Sequence, residues 1–199
     1  MVEIKLFNRW SMEGITVKDE GLKNYITVAP VFVPKTGARY AGNRFHKSKI
    51  SIIERLMNKL MIAGHKGKKH TRSSGHQTGK AQSALKIMEK TLEIIEHRTK
   101  QNPVEVVVQA IENAAPREEI LTIEYGGARY PKAVDCAPQR RVDIVLRYMT
   151  QGAYAKSFNS KKNISSALAD EIVAAAQLSA TSSAISKKLE LERQSDSSR

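Results

Sequence analysis

Cysteine is almost absent from this sequence, and its scarcity excludes several classes of protein. Among 199 residues there is one cysteine, Cys136, so neither an intrachain disulfide nor a zinc site built from several thiolates can form. A nucleophilic thiol would also need a partner base, and the sequence offers no candidate. The single cysteine is typical of a reducing compartment and gives no support to thiol chemistry.

Long apolar runs are absent as well. No stretch approaches the roughly 20 apolar residues that a helix needs to cross a bilayer, and residues 1–5 lack the basic and then apolar pattern of a secretory leader. Hydrophobic residues nevertheless make up 41% of the chain, which is enough to build a packed core at this length. We therefore expect a soluble cytoplasmic protein with no membrane partner.

Acidic residues are scarce in one part of the chain. From Lys35 to Lys80 there are twelve lysines and arginines against one acid, Glu54, so this segment carries eleven of the net formal charge of +13. Clustered cations favour a polyanionic partner, because each neutralised phosphate releases counterions. Tyr40 and Phe45 stand among these cations, where their rings could stack on unpaired bases. Nucleic acid is the favoured partner, with acidic lipid or mere solubility as alternatives.

The pattern along the chain divides it into three parts. Residues 1–47 are rich in turn formers and short apolar pieces, which indicates an irregular basic N-terminal extension that lies on a body and has no core of its own. Residues 48–193 are predicted to form a mainly α-helical domain, a bundle of about six helices, because apolar residues recur at intervals of three and four. Residues 194–199 form a polar tail that is expected to fray.

Two of these helices have clear start signals. Ser51 and Glu54 have the spacing of a capping box, in which a hydroxyl and a carboxylate satisfy free amides at the helix start. Asn102 followed by Pro103 predicts another start, with asparagine as the cap and proline in the first turn. These signals mark the first and third helices of the domain.

The periodicity changes from helical to alternating after the third helix. Apolar and polar residues alternate on both sides of Gly126-Gly127, which predicts a protruding β-hairpin over residues 119–135. A two-stranded ribbon is marginal by itself in water, so it must rest on the helices or on a partner. A finger that reaches into a nucleic-acid groove and a plain surface hairpin both agree with this pattern.

Three weaker patterns give little support to enzyme or metal chemistry. Residues 74–81 resemble a phosphate-binding loop, but they lack its first glycine and its magnesium-binding hydroxyl. His65, His70 and His76 do not share a helix face and have no carboxylate or thiolate beside them. Neither paired carboxylates nor a serine–histidine arrangement is visible. We therefore predict no cofactor, no metal site and no catalytic activity.

Short motifs spread over nearly the whole chain carry a likeness to a known family. They include Gly67-Lys68-Lys69 after the first helix, Asn102-Pro103 at the third, Gly126-Gly127 at the hairpin tip and Arg140-Arg141-Val142 after it. Further matching stretches are residues 4–7, 38–41, 44–45, 53–61, 116–118, 169–171 and 191–193. The chain resembles the small-subunit ribosomal protein seven family, in its archaeal and eukaryotic form. A polar stretch at residues 70–79 departs from the usual family pattern.

This resemblance implies binding to the 3′ major domain of small-subunit rRNA and a role in assembling the subunit head. It also implies a place near the exit-site tRNA and the mRNA path, with neighbouring ribosomal proteins as partners. Charge and resemblance together select candidate RNA-binding residues, the cations for phosphate pairing and one tyrosine for stacking: Lys35, Arg39, Arg44, Lys47, Lys49, Lys66, Lys68, Lys69, Arg72, Lys80, Arg129, Tyr130, Arg140, Arg141 and Arg147.

Two alternatives to RNA binding remain open. Sequence-specific DNA binding would place an arginine-bearing helix in a major groove, and Arg140 and Arg147 share a helix face. Most of the cations, however, lie in predicted loops and in the extension, which suit an irregular RNA surface better. A magnesium-dependent nuclease would need clustered acids, and the basic segment offers only Glu54.

Overall fold

The structure, a computed structural model, describes residues 4–62 and 80–199 and is mainly helical within them. The helices are α1 (Glu20–Lys23), α2 (Ile52–Met61), α3 (Ala81–Thr99), α4 (Pro103–Ala114), α5 (Pro138–Ser157), α6 (Ile164–Ala176) and α7 (Ser183–Asp196). The strands are β1 (Lys5–Leu6), β2 (Trp10–Ser11), β3 (Glu118–Tyr125) and β4 (Ala128–Asp135). The predicted fold class is confirmed, because α2–α7 are the six long helices and the hairpin follows the third of them.

Helix α6 lies at the centre of the hydrophobic core. It contacts α3, α4, α5 and α7, and its Leu168 and Ile172 are completely buried. On α5, a Cβ at Gly152 would lie 2.5 Å from Ser183 Oγ and 2.7 Å from a carboxylate oxygen of Glu171. Glycine at this position therefore lets α5 approach α6 and α7 closely.

The two helix-start signals have different outcomes. Asn102 caps α4 as predicted, since its side-chain oxygen accepts a hydrogen bond from Val104 N at 3.1 Å. The capping box predicted at α2 is wrong, because Ser51 makes no cap hydrogen bond there. Glu54 instead accepts hydrogen bonds from the backbone nitrogen of Thr36 at 2.9 Å and from its hydroxyl at 2.6 Å. The carboxylate is diverted because the extension supplies two donors beside α2.

Residues 4–47 lie on the helical body and share its core. Five apolar side chains of this segment are at most 5% exposed and belong to the same hydrophobic cluster as the helices: Leu6, Trp10, Met12, Leu22 and Ile26. The sequence did not predict α1 or the 3-10 turn at His46–Lys49, because four residues are too few to show a helical period.

The hairpin has the predicted two-residue turn and projects from the body. The strands pair from Glu118 opposite Asp135 to Tyr125 opposite Ala128, and Gly126 and Gly127 have φ of 59° and 80°. Two successive positive φ values match the twist of a hairpin, and glycine adopts them without steric cost. Residues 121–132 are all exposed, whereas the hairpin also contacts α7, so only its base rests on the body.

The first half of the tail that was expected to fray is helical. Helix α7 continues to Asp196, and Ser195 is completely buried. Arg199 forms an ion pair with Glu118 at the base of β3. Because the polar tail has no apolar period of its own, its helical form depends on these tertiary contacts.

Shortening the hairpin should leave the helical body folded. The variant lacks two cross-strand pairs, Glu124 with Arg129 and Tyr125 with Ala128. Gly126-Gly127 then closes the ribbon between Ile123 and Tyr130, which already face each other. Because the deleted side chains are exposed, we expect the midpoint of thermal unfolding, measured by circular dichroism, to change by less than about 3 °C. Leu146→Ala in the core is the control and should cost about 2–5 kcal/mol; an equal loss in both variants would contradict this expectation.

Candidate nucleic-acid interface

Two open grooves bring together cations from the extension and from α5. The larger groove, of about 650 Å³, contains four predicted RNA-binding residues: Arg44, Lys47, Arg140 and Arg147. The smaller one, of about 370 Å³, contains three more: Lys35, Arg39 and Lys49. Tyr40 lines both grooves, so they form one continuous area. We call these seven cations with Tyr40 and Phe45 the basic surface.

Tyr40 is held at the centre of the basic surface by α2. Its hydroxyl accepts a hydrogen bond from Asn58 Nδ2 at 3.1 Å, and the ring is half-buried. Anchoring the hydroxyl fixes the orientation of the ring, which lowers the conformational entropy lost when a base stacks on it. Tyr40 therefore offers a preformed stacking position between the two groups of cations.

Phe45 lies exposed at the edge of the larger groove. Its φ of 67° is left-handed, which is uncommon for a residue other than glycine, and the 3-10 turn begins directly after it. The guanidinium carbon of Arg44 lies 5.7 Å from the centre of the ring, within the range of a cation–π contact. Guanidinium and ring together present flat surfaces on which an unpaired base can stack.

Buried charges fasten the extension to the body at the edge of the basic surface. Arg55 of α2 is 5% exposed and donates to Tyr25 O at 2.8 Å and to Asp143 Oδ1 at 3.1 Å. The other oxygen of Asp143 pairs with Lys47. Burial lowers the pKa of Arg55, and the neighbouring Asp143 partly offsets that effect. One carboxylate of α5 thus connects α2 and the extension.

Lys47 and Arg141, both predicted to bind RNA, pair with acids on distant segments of the fold. Lys47 is paired with Asp143, and Arg141 donates to Pro116 O at 3.0 Å and to Asp19 Oδ2 at 2.8 Å. The Arg141 side chain is only 12% exposed. Its acidic partner lies 122 positions away in the sequence, so no local pattern could reveal the pairing.

A charged pair and the single cysteine lie at the base of the hairpin. Arg140 Nε lies 2.6 and 2.8 Å from the two carboxylate oxygens of Glu119, and this hydrogen bonding raises the pKa of the guanidinium. Cys136 is buried, and burial together with the charge of Glu119 raises its pKa to about 11. The thiol therefore stays protonated at neutral pH, a poor nucleophile and a poor metal ligand.

Arg129 and Tyr130 lie near the hairpin tip and do not line the basic surface. Arg129 is opposite Glu124, with its Nε 3.3 Å from a carboxylate oxygen, and Tyr130 is opposite Ile123. Because successive residues of a strand point to opposite faces, the guanidinium and the ring lie on different sides of the ribbon. Their adjacency in the sequence therefore does not create a joint contact.

The remaining predicted cations lie elsewhere. Lys80 is exposed directly before α3 and lines neither groove. Lys66, Lys68, Lys69 and Arg72 lie outside the described residues. The same holds for the three histidines and for most of the loop-like motif that the sequence raised as weak candidates.

The described part of the chain offers no clustered ligands for metal chemistry. Within residues 4–62 and 80–199, no group of three histidine, cysteine, aspartate or glutamate side chains could hold a metal ion. The grooves of the basic surface contain one carboxylate, Asp143, whereas a magnesium-dependent nuclease needs several. None of the helices in this part combines the length and apolar character required to cross a membrane.

A helical body with a broad cationic surface and aromatic rings beside the cations is typical of the nucleic-acid-binding class of proteins. Comparison with known families agrees with that class. The family described as Ribosomal protein S7p/S5e matches residues 22–199. The chain therefore belongs to this family.

Archaeal relatives match over nearly the full length, including the extension. The small ribosomal subunit protein uS7 of Nanoarchaeum equitans is 56% identical over 198 residues and covers 100% of both chains. The uS7 protein of Methanosphaera stadtmanae is 46% identical over 192 residues, covering 96% of this chain and 97% of its own. That of Methanococcus maripaludis is 45% identical over 199 residues and covers both chains fully. The resemblance inferred from the sequence, including its archaeal form, is confirmed.

Proposed function

We propose that this chain is a structural protein of the small ribosomal subunit that binds rRNA through the basic surface. The observation that carries the proposal is the meeting of seven predicted cations from two distant segments around Tyr40. The archaeal relatives are named small ribosomal subunit protein uS7, and these names support the assignment of the chain to the small ribosomal subunit. Such a protein acts in the cytoplasm as part of the ribosome and contributes no catalysis.

The shape of the basic surface favours RNA over duplex DNA. Its cations come from loops, from a 3-10 turn and from one side of α5. Arg140 and Arg147 line a groove, whereas a major-groove reader needs a protruding recognition helix. The exposed Phe45 ring and the half-buried Tyr40 ring lie beside cations, an arrangement that suits the unpaired bases of RNA loops and junctions.

The residues of the basic surface and the other predicted RNA-binding residues have different proposed roles. Arg39, Arg44, Lys49 and Arg147 are exposed and pair with phosphates, while Tyr40 and Phe45 stack on bases. Lys35 and Arg140 belong to the same phosphate-binding surface, and Lys47 and Arg141 position the others through Asp143 and Asp19. Charge supports Lys66, Arg72 and Lys80, and charge together with the matching Gly67-Lys68-Lys69 motif supports Lys68 and Lys69.

The finer assignment is the head of the subunit. We propose that the basic surface binds the 3′ major domain of the rRNA and helps to assemble the head. The hairpin then projects toward the exit-site tRNA and the mRNA path, with Arg129 on its polar face. This is supported by the exposure of residues 121–132 and by a base that rests on α7.

Removing exposed arginines from the basic surface should weaken rRNA binding and lower its dependence on salt. The variant carries Arg39→Ala, Arg44→Ala and Arg147→Ala. Each phosphate contact contributes roughly 0.7–0.9 to the slope of log K against log salt, so we expect the slope to fall by about 2–3. The measurement is a salt titration with a transcript of the 3′ major domain.

The matched control carries Lys86→Ala, Lys90→Ala and Arg193→Ala, three exposed cations outside the basic surface. The two variants have the same net charge, so a general attraction would lower both slopes equally and would contradict the assignment of the site. Duplex DNA of equal charge is the competitor. Equal displacement by this DNA would show general polyanion binding instead of rRNA recognition.

A further inference from the structure

A further pocket adjoins the basic surface beside α2. It has a volume of about 330 Å³ and shares Tyr40, Lys47 and Asp143 with the larger groove. Its walls come from the extension, from α2 and from α5, which meet at this point. Pockets of this size hold small organic ligands in many proteins. We call it the side pocket.

The walls of the side pocket are mainly apolar. Ile50 and Leu146 line it and are 9% and 0% exposed, and the half-buried ring of Tyr40 adds an aromatic wall. Ile62, directly after α2, lines it from a position that is 70% exposed. A flat heterocyclic ring gains free energy between such walls, because it leaves water and stacks on the tyrosine.

Asn58 provides a neutral polar group among these walls. Its Nδ2 donates a hydrogen bond to the Tyr40 hydroxyl at 3.1 Å, which holds the amide in place and uses one of its two hydrogens. An asparagine amide also has a second hydrogen and an acceptor oxygen. A donor and an acceptor side by side are the pattern with which asparagine binds the edge of a nucleobase.

The charges around the side pocket favour a ring that is joined to phosphates. Asp143 pairs with both Lys47 and Arg55, and Lys59 also lines the pocket. Three cations and one acid leave an excess of two positive charges. The phosphates on either side of an RNA base gain from this excess, whereas an apolar side chain of another protein does not.

We infer that the side pocket receives one unpaired base turned out of the rRNA, stacked on Tyr40 and hydrogen-bonded at its edge by Asn58. The inference rests on the proposed function, because RNA held on the basic surface supplies the base. Phosphate contacts position an RNA without reading its sequence, whereas a contact with a base edge contributes specificity.

Chemical probing of the RNA bases tests this contact. The full-length chain is bound to a transcript of the 3′ major domain and treated with dimethyl sulfate and a carbodiimide, which modify unpaired bases at their pairing edges. A base in the side pocket should be reactive in the free transcript and protected in the complex. Ile62→Trp fills the pocket from its rim. We expect it to restore the reactivity of that base at least about fivefold and to weaken binding about tenfold, as for the loss of one stacked base.

Leu189→Trp is the matched control, because it introduces the same ring at an aliphatic position of α7 that is 53% exposed and lies outside the side pocket. It should leave the base protected. Asn58→Leu keeps the size of the side chain but removes the amide, and it should expose the same base at least about threefold. Far-UV circular dichroism checks that each variant is folded. Wild-type protection in both pocket variants would overturn the inference, as would equal effects of the two tryptophan substitutions.

Crosslinking in whole small subunits examines the other possible occupant, a side chain of a neighbouring protein. Tagged chains carry benzoylphenylalanine at Ile62, and the subunits that contain them are irradiated. We expect a nuclease-sensitive crosslink to the nucleotide that the probing identifies. A nuclease-resistant crosslink to another protein would overturn the inference.

Binding of the wild-type chain separates this inference from the proposed function. If the chain binds the transcript in preference to duplex DNA but no base shows the expected pattern, only the assignment of the side pocket fails. If duplex DNA displaces the transcript equally, the proposed function fails and the inference fails with it.

Discussion

A chain that begins at residue 48 is expected to lose its cooperative unfolding transition. Deleting residues 1–47 removes five large apolar side chains from the common core: Leu6, Trp10, Met12, Leu22 and Ile26. Burying each is worth about 1.5–3 kcal/mol, so together they contribute on the order of 10 kcal/mol, similar to the entire stability of a typical domain. The deletion also leaves buried Arg55 without the Tyr25 carbonyl.

Far-UV circular dichroism during heating measures this effect, and two point variants serve as internal controls. Leu22→Ala removes a completely buried side chain and should lower the free energy of unfolding by about 2–5 kcal/mol. Phe32→Ala lies in the same extension, but this ring is 46% exposed, so we expect a change within about 0.5 kcal/mol. A fragment of residues 48–199 that still melts cooperatively near the wild-type temperature would show that the helical body is self-sufficient.

Glu171→Ala should lower the free energy of unfolding by about 2–4 kcal/mol. Glu171 belongs to α6, and its completely buried carboxylate reaches the start of α7. There it accepts hydrogen bonds from Ser183 N at 2.9 Å and from the Ser183 hydroxyl at 3.2 Å. Lys156 Nζ lies 2.6 Å from the same carboxylate. A negative charge is favoured at a helix start, so its removal leaves buried donors unsatisfied and opens a cavity.

The adjacent acid provides the control. Asp170 pairs with Arg98 and Lys162, but all three side chains are partly exposed, so Asp170→Ala should cost less than about 1 kcal/mol. Urea unfolding measures the free energy of unfolding of both variants, and an unchanged dependence on urea concentration makes the two values comparable. If both variants lost the same free energy of unfolding, the buried Glu171 carboxylate would contribute no more to stability than the partly exposed ion pairs of Asp170.

Local signals in the sequence predicted those parts of the fold that depend on neighbouring residues. Gly126-Gly127 predicted the hairpin turn because two positive φ values in succession favour glycine, and Asn102 predicted the start of α4 because its cap bond reaches only two residues ahead. The one-sided charge of residues 35–80 predicted a cationic surface without any knowledge of its shape.

Local sequence patterns gave a wrong prediction where a side chain instead bonds to a residue that is distant in the sequence. Ser51 and Glu54 have capping-box spacing, but Thr36 offers Glu54 two donors that the helix start does not outcompete. The 3-10 turn and α1 are too short to show a period of their own. The helical tail through Asp196 depends likewise on contacts with the hairpin base.

The sequence by itself determined the class of protein, since composition, helical periodicity and unmixed charge are properties of residues and their neighbours. Tertiary structure alone decided which of the predicted RNA-binding cations remain exposed and which pair with carboxylates of the fold. Arg44 and Arg147 remain exposed, while Lys47 and Arg141 are paired with Asp143 and Asp19. A cation becomes structural only when a distant carboxylate is brought within hydrogen-bonding reach, and chain folding, not local spacing, determines that distance.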